Sequence, residues 1–196
     1  MKHFLKETDF SENEIREIFS HAAELKQDRA ESSSEALRGQ TWGLLFYKQS
    51  TRTRVSFEVG INELGGHALM LDKGGMQIGR GESMHDTAKV LSRYVDGILI
   101  RTFAHEMVVA LAEHTEVPMV NMLTDFSHPC QILADALTIQ EHLGQLENLR
   151  IAYLGDGNNV TNSWLNLACR IPLDLRIGTA PETQPEAALV KATQDC

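Results

Sequence analysis

From residue 41 onward the chain alternates short apolar runs, polar loops and amphipathic stretches. The apolar runs cover 41–47, 67–71, 97–100, 118–122, 151–154 and 173–177; their length and aliphatic content predict buried strands. Between them, apolar residues recur at helical spacing and predict helices over about 54–64, 83–95, 104–114, 129–143 and 161–170. An earlier helix is predicted from the capping box Ser11-Glu12-Asn13-Glu14 to about residue 29, with Ile15, Ile18, Phe19, Ala22 and Ala23 on its apolar face. Strands separated by helices of this length predict an α/β fold: a parallel sheet covered by helices on both faces. Ser83 with Asp86 reads as another helix cap, and Pro129 stands where a helix tolerates proline, at its first position.

In open parallel sheets ligands bind at the carboxyl ends of the strands, where helix N-termini also point. The residues just after the predicted strands are Ser50 to Thr53, Gln77 with Arg80, Arg101-Thr102, His128 to Gln131, and Gly155-Asp156-Gly157-Asn158-Asn159. All are polar or suited to hydrogen bonding, and the fold would bring them to one edge. Ser50-Thr51-Arg52-Thr53 offers three hydroxyls and a guanidinium at a helix start, the groups that hold a phosphate; the same residues also suit an N-cap cluster with a solvated arginine.

Arg101 closes a buried run, so its charge needs water or an anion at the strand mouth. His128 precedes the helix-opening Pro129, a setting that favours a neutral imidazole over a cation. Gln131, three residues on, could reach the same ligand. Cys130 reads as a small packing residue, because no obvious base adjoins it. Gly155 to Asn159 lacks the third glycine of a dinucleotide turn. Asn158 and Asn159 suit either left-handed turn positions or recognition of an amino-acid ligand.

Composition narrows the partners. The 196 residues carry a formal charge of −9, which argues against nucleic acid or an anionic membrane, so any anion is captured locally. No apolar run approaches the ~20 residues of a membrane span. The start reads as mature sequence without a targeting leader. Three cysteines without framework spacing predict neither disulfides nor structural zinc and fit a reducing cytoplasm, and the scattered histidines lack metal-ligand spacing.

With these residues assembled, the chain resembles the transcarbamoylases, and within them the ornithine type. The resemblance rests on residues 46–54 (Phe-Tyr-Lys-Gln-Ser-Thr-Arg-Thr-Arg), 76–83 (Met-Gln-Ile-Gly-Arg-Gly-Glu-Ser), 125–131 (Asp-Phe-Ser-His-Pro-Cys-Gln) and 155–159, in family order over nearly the whole chain. Lys48 and Cys130 favour ornithine over aspartate as acceptor. The resemblance implies transfer of a carbamoyl group from carbamoyl phosphate to the δ-amine of ornithine, giving citrulline and phosphate, with no metal or cofactor.

It also implies roles. Ser50, Thr51, Arg52 and Thr53 would hold the phosphate, Arg101 would bridge phosphate and carbonyl oxygen, and His128 with Thr53 would polarise the carbonyl. Gln131 would hold the carbamoyl nitrogen, Pro129 and Cys130 would belong to the same donor site, and Asn159 would contact ornithine. Gln77 would reach the phosphate of a neighbouring subunit, implying a homotrimer with shared sites. Residues 1–128 would form the carbamoyl-phosphate domain, 129–143 an inter-domain helix, and 144–196 the start of an ornithine domain whose later motifs are absent, so the chain is expected to bind the donor with little turnover. Two other readings stay open: a transcarbamoylase for aspartate, putrescine or an acylated ornithine, and a non-catalytic module that trimerises or senses ligand.

Overall fold

Leu44, Leu45 and Phe46 are all buried but belong to two different apolar layers, so β1 (Thr41–Phe46) is a strand covered on both faces. The computed structural model describes residues 2–29, 34–72 and 82–196. β1 is flanked by β2 (His67–Asp72) and β3 (Gly97–Arg101), and β3 by β4 (Met119–Leu123), giving a parallel sheet of order β2-β1-β3-β4. Leu44, Phe46 and Leu99 pack with Ile61 of α2 (Thr51–Glu63) on one face. Leu45, Ile98 and Ile100 pack on the other face with Ala88 of α3 (Met84–Leu91) and with Val108 and Leu111 of α4 (His105–Ala112).

A second core joins α1 (Glu12–Asp28), α5 (Pro129–Leu143) and α6 (Asn159–Ala168) through Ile15, Phe19, Ile132, Ala136, Trp164 and Leu167. Packed against it are β5 (Arg150–Leu154) and β6 (Asp174–Gly178), a separate parallel pair. The chain ends with α7 (Ala187–Gln194). Every predicted strand and helix is present within a few residues. The parallel α/β fold follows from both-face burial and from crossover helices too long for hairpins.

The helix ends follow local chemistry. Ser11 and Glu14 cap α1 reciprocally, Ser83 Oγ accepts from the Asp86 N–H at 3.0 Å, and Pro129 opens α5. Gly144 ends α5 at φ 77°, a left-handed backbone that suits glycine. α2 begins three residues before the predicted start. Ser50 Oγ accepts from the Thr53 N–H at 3.3 Å, so Thr51, Arg52 and Thr53 form its first turn.

Three features depart from the sequence reading. The N-terminal segment adds to the sheet: the Phe4 N–H donates to Met119 O and the Asn121 N–H to Phe4 O, both at 2.8 Å. α7 was not expected. It lies along α6, with Thr193 Oγ1 donating to Leu165 O, and this brings Cys196 back to Cys169 at the end of α6. The two cysteines form a disulfide with Cα atoms 5.2 Å apart, correcting the expectation of none. Helix packing made the pair, and a separation of 27 residues carries no local signal. The bridge also removes the argument for a reducing compartment. No helix among the described residues is long and apolar enough to cross a membrane.

Candidate active site

The sheet order reverses at β1, with β2 on one side and β3 on the other, and such a switch point opens a crevice at the strands' carboxyl ends. Residues following β1, β3 and β4 meet there. A cavity of about 470 Å³ is lined by Ser50, Arg52 and Thr53 of the α2 start, Arg101 at the end of β3, and His128, Cys130 and Gln131 at the start of α5. Thr51 instead faces a neighbouring cavity of about 550 Å³, which Ser50 shares and where Arg54 also lies.

Hydrogen bonds tie these elements together. Ser50 Oγ donates to Thr53 Oγ1 at 3.0 Å, and Arg101 Nη1 donates to the same oxygen at 3.1 Å. Arg101 is aimed here from a point where the β3–β4 register shifts, between Ile100 and Arg101. Its Nε is buried without a protein partner. Burial lowers its pKa, but a guanidinium stays charged, so a cation with no carboxylate partner among the described residues faces the cavity.

His128 behaves in the opposite way. Burial first, and the nearby Arg101 charge second, lower its pKa to about 4, so the ring is neutral at pH 7 and keeps one N–H donor. The sequence attributed neutrality to the helix terminus; desolvation and Arg101 are the causes here. Its Nδ1 is buried without a partner, and its backbone N–H donates to Ser163 Oγ of α6 at 2.8 Å.

Gln131 Nε2 donates to Asp135 at 2.8 Å, leaving its carbonyl oxygen as the acceptor. The Cys130 thiol is pushed up to about 12 by burial and then by Glu7, so it stays protonated and is no nucleophile. Lys48 pairs with Asp125 at 3.0 Å and lies 5.0 Å from the centre of the Phe103 ring. Pro129 is buried at the first position of α5. Gln77 and Arg80 lie outside the described residues.

The glycine turn after β5 does other work. A Cβ on Gly157 would fall 2.2 Å from Pro185 N, so this glycine lets the chain's own backbone approach. Asn158 has φ −114° and caps α6, accepting from the Val160 and Thr161 N–H groups, so it is no left-handed turn residue. Asn159 Nδ2 donates to Thr124 O at 2.8 Å and Asn162 Nδ2 to Phe126 O at 3.0 Å. These asparagines fasten the 124–128 loop that carries His128.

Sequence reasoning missed the groups beneath that loop. Glu7, Ser127, Ser163 and Asn166 are buried, and Asn166 Nδ2 donates to Glu7 while Ser163 Oγ donates to Ser127, although the partners are far apart in sequence. No spacing rule connects residue 7 with residue 166.

Known proteins resemble the chain in sequence and in fold. Residues 2–141 match the sequence model of the aspartate/ornithine carbamoyltransferase, carbamoyl-P binding domain. Over 191 residues the chain is 49% identical to an ornithine carbamoyltransferase of Syntrophotalea carbinolica, covering 97% of this chain and 63% of that relative. The ornithine carbamoyltransferase structure from Pyrococcus furiosus superposes with a TM-score of 0.94 at 41% identity, covering 98% of this chain and 62% of that one. That from Thermus thermophilus gives a TM-score of 0.93 at 42% identity, covering 99% and 67%. The chain therefore spans less than two thirds of the first two relatives, and it belongs to the aspartate/ornithine carbamoyltransferase family.

Proposed function

We propose that the cavity between α2 and α5 takes carbamoyl phosphate, and that the protein transfers its carbamoyl group to the δ-amine of L-ornithine, giving L-citrulline and phosphate. The observation that carries this reading is the meeting of the α2 N-terminus, the Arg101 cation and the neutral His128 in one cavity at the sheet's switch point. An anion with a carbonyl attached needs that set: donors and charge for the phosphate, and a neutral donor for the carbonyl oxygen.

In this mechanism the amine lone pair attacks the carbamoyl carbon and the C=O electrons move onto oxygen. Arg101, Thr53 and His128 donate to that oxygen as its charge develops. The intermediate collapses, the C–O bond to phosphate breaks, and phosphate departs with negative charge that Ser50, Arg52, Thr53 and Arg101 receive, with the backbone N–H of Thr51 at the first position of α2. The amine loses a proton to the departing phosphate. Gln131 accepts from the carbamoyl NH₂ through the oxygen that Asp135 leaves open, with Pro129 and Cys130 forming the adjoining wall. Asn159, its NH₂ held by Thr124 O, offers its carbonyl to the ornithine ammonium.

The same reading includes a division into residues 1–128 for the donor, a helix over 129–143 and residues 144–196 toward the acceptor. It also includes a cytoplasmic homotrimer in which Gln77 serves a neighbouring site, and a place in arginine metabolism. Two sheets and two cores support the division.

Calorimetric titration with carbamoyl phosphate and a citrulline assay test the proposal. Wild-type protein should bind the donor, and Arg52→Ala should weaken binding about tenfold or more, the effect of losing a charge-assisted contact. Unchanged saturation in that variant would contradict the phosphate site. The 196-residue chain alone should give little or no citrulline. A preference for aspartate, putrescine or an acylated ornithine in a substrate panel would overturn the acceptor assignment.

A further inference from the structure

Gln131 lines the donor cavity, and Asp135, one helical turn further along α5, does not. Ile132, Leu133 and Ala136 are buried in the core beside α1 and α6, so α5 is anchored by that side and residues 131 and 135 share the other. Gln131 Nε2 donates to Asp135 Oδ1 at 2.8 Å, and among the described residues neither side chain has another hydrogen-bond partner. Nor does Asp135 form an ion pair among them. Its negative charge opposes an anion bound nearby, so whatever it adds to the site comes through Gln131. We infer that Asp135 is a positioning residue that makes the site selective for a donor carrying an NH₂ group, by fixing which end of the Gln131 amide faces the cavity. This rests on the carbamoyl phosphate reading of the cavity.

A primary amide has two ends of similar shape and opposite hydrogen-bonding character: the C=O accepts and the NH₂ donates. A carboxylate can only accept, so the NH₂ end turns to Asp135 and Oε1 is directed away from it. The charged and ring groups of the cavity, Arg52, Arg101 and the neutral His128, are there to donate. Gln131 Oε1 is the one side-chain carbonyl among the lining residues.

A carbamoyl group has the same two ends. With Oε1 inward, the carbamoyl NH₂ meets an acceptor and its carbonyl oxygen is left for Arg101 and His128. With the Gln131 amide turned over, two NH₂ groups would face each other, each a donor without an acceptor. The carbamoyl group would then bind reversed, its oxygen toward Gln131 and away from the groups that polarise it. Acetyl phosphate carries a methyl in place of the NH₂, so it gains a hydrogen bond from Gln131 in neither orientation.

Calorimetric titration with carbamoyl phosphate and with acetyl phosphate tests the inference in wild type, Asp135→Asn, Gln131→Ala and the double variant. Both ligands present the same phosphate group, so the ratio of their affinities cancels the charge lost in D135N. Asparagine offers Gln131 either an oxygen or an NH₂, so the side-chain volume and the hydrogen bond are kept while the choice of orientation is lost. The wild-type preference for carbamoyl phosphate over acetyl phosphate should fall about threefold in D135N, the value of a weak hydrogen bond. With Gln131 already replaced by alanine, adding D135N should leave the ratio where it is.

A wild-type ratio in D135N, even with its urea midpoint lowered, would reduce Asp135 to a helix-stabilising partner and overturn the inference. So would an equal fall in the Gln131→Ala background, because Asp135 would then act without Gln131. Equal affinity of wild type for the two ligands would overturn it as well, since no NH₂ recognition would exist to be positioned. Wild-type protein that binds no carbamoyl phosphate would sink the donor reading itself, and this inference with it.

Discussion

Arg101 and His128 face one cavity, and burial pushes both toward neutrality, yet only the histidine is neutral at pH 7. A guanidinium starts too high to lose its proton, whereas an imidazole starts near 6.5. The cavity therefore holds the fixed cations Arg52 and Arg101 beside a neutral imidazole donor, the combination a phosphate with an attached carbonyl requires. Arg101→Lys tests whether charge alone suffices. It keeps the cation but loses the fork that donates to Thr53 Oγ1. Carbamoyl phosphate affinity should fall about tenfold in calorimetry, and affinity equal to wild type would show that position and fork are irrelevant.

Elements set how precisely such residues are held. Ser50 caps α2 and also donates to Thr53, so Ser50→Ala should cost about 1 kcal/mol of stability in chemical denaturation and weaken donor binding in the same protein. Stability loss without any affinity change would separate the cap from the site. Gly157→Ala should destabilise by roughly 1–3 kcal/mol through overlap with the Pro185 backbone, because strand-mouth packing and not ligand access fixes that glycine. Wild-type stability in the alanine variant would disprove the close approach.

Most elements were legible because apolar runs, caps and Pro129 act within a few residues. So were Ser50 to Thr53, Arg101, His128 and Gln131, since strand mouths follow from strand positions. The Phe4 pairing with β4, the α7–α6 contact that joins Cys196 to Cys169, and the hydrogen bond from Asn166 to buried Glu7 were not. Each depends on residues more than twenty positions apart, and Glu7 reads locally as one acidic residue among 27 Asp and Glu.

Across the whole molecule, Glu7 and His128 impose opposite pH dependences on folding. Glu7 has its pKa raised from 4.5 to about 7, so the native state binds more protons than the unfolded state in that window. Its contribution is most favourable below 4.5 and is lost as pH rises toward 7. His128 has its pKa lowered from 6.5 to about 4, so the unfolded state binds more protons there, and stability is full above 6.5 and lost as pH falls toward 4.

Between about 4.5 and 6.5 the slopes oppose, and the single variants separate them. Relative to wild type, Glu7→Gln should gain nothing near pH 4.5 and on the order of 3 kcal/mol above pH 7. His128→Asn should gain in the other direction, by about 1–2 kcal/mol near pH 4, the smaller value reflecting a half-buried ring that solvent screens. Urea denaturation of the three proteins at several pH values measures both slopes. Differences of the same sign, or an E7Q protein less stable than wild type at pH 8, would show that burial of these two groups does not govern the acid and alkaline limits of the fold.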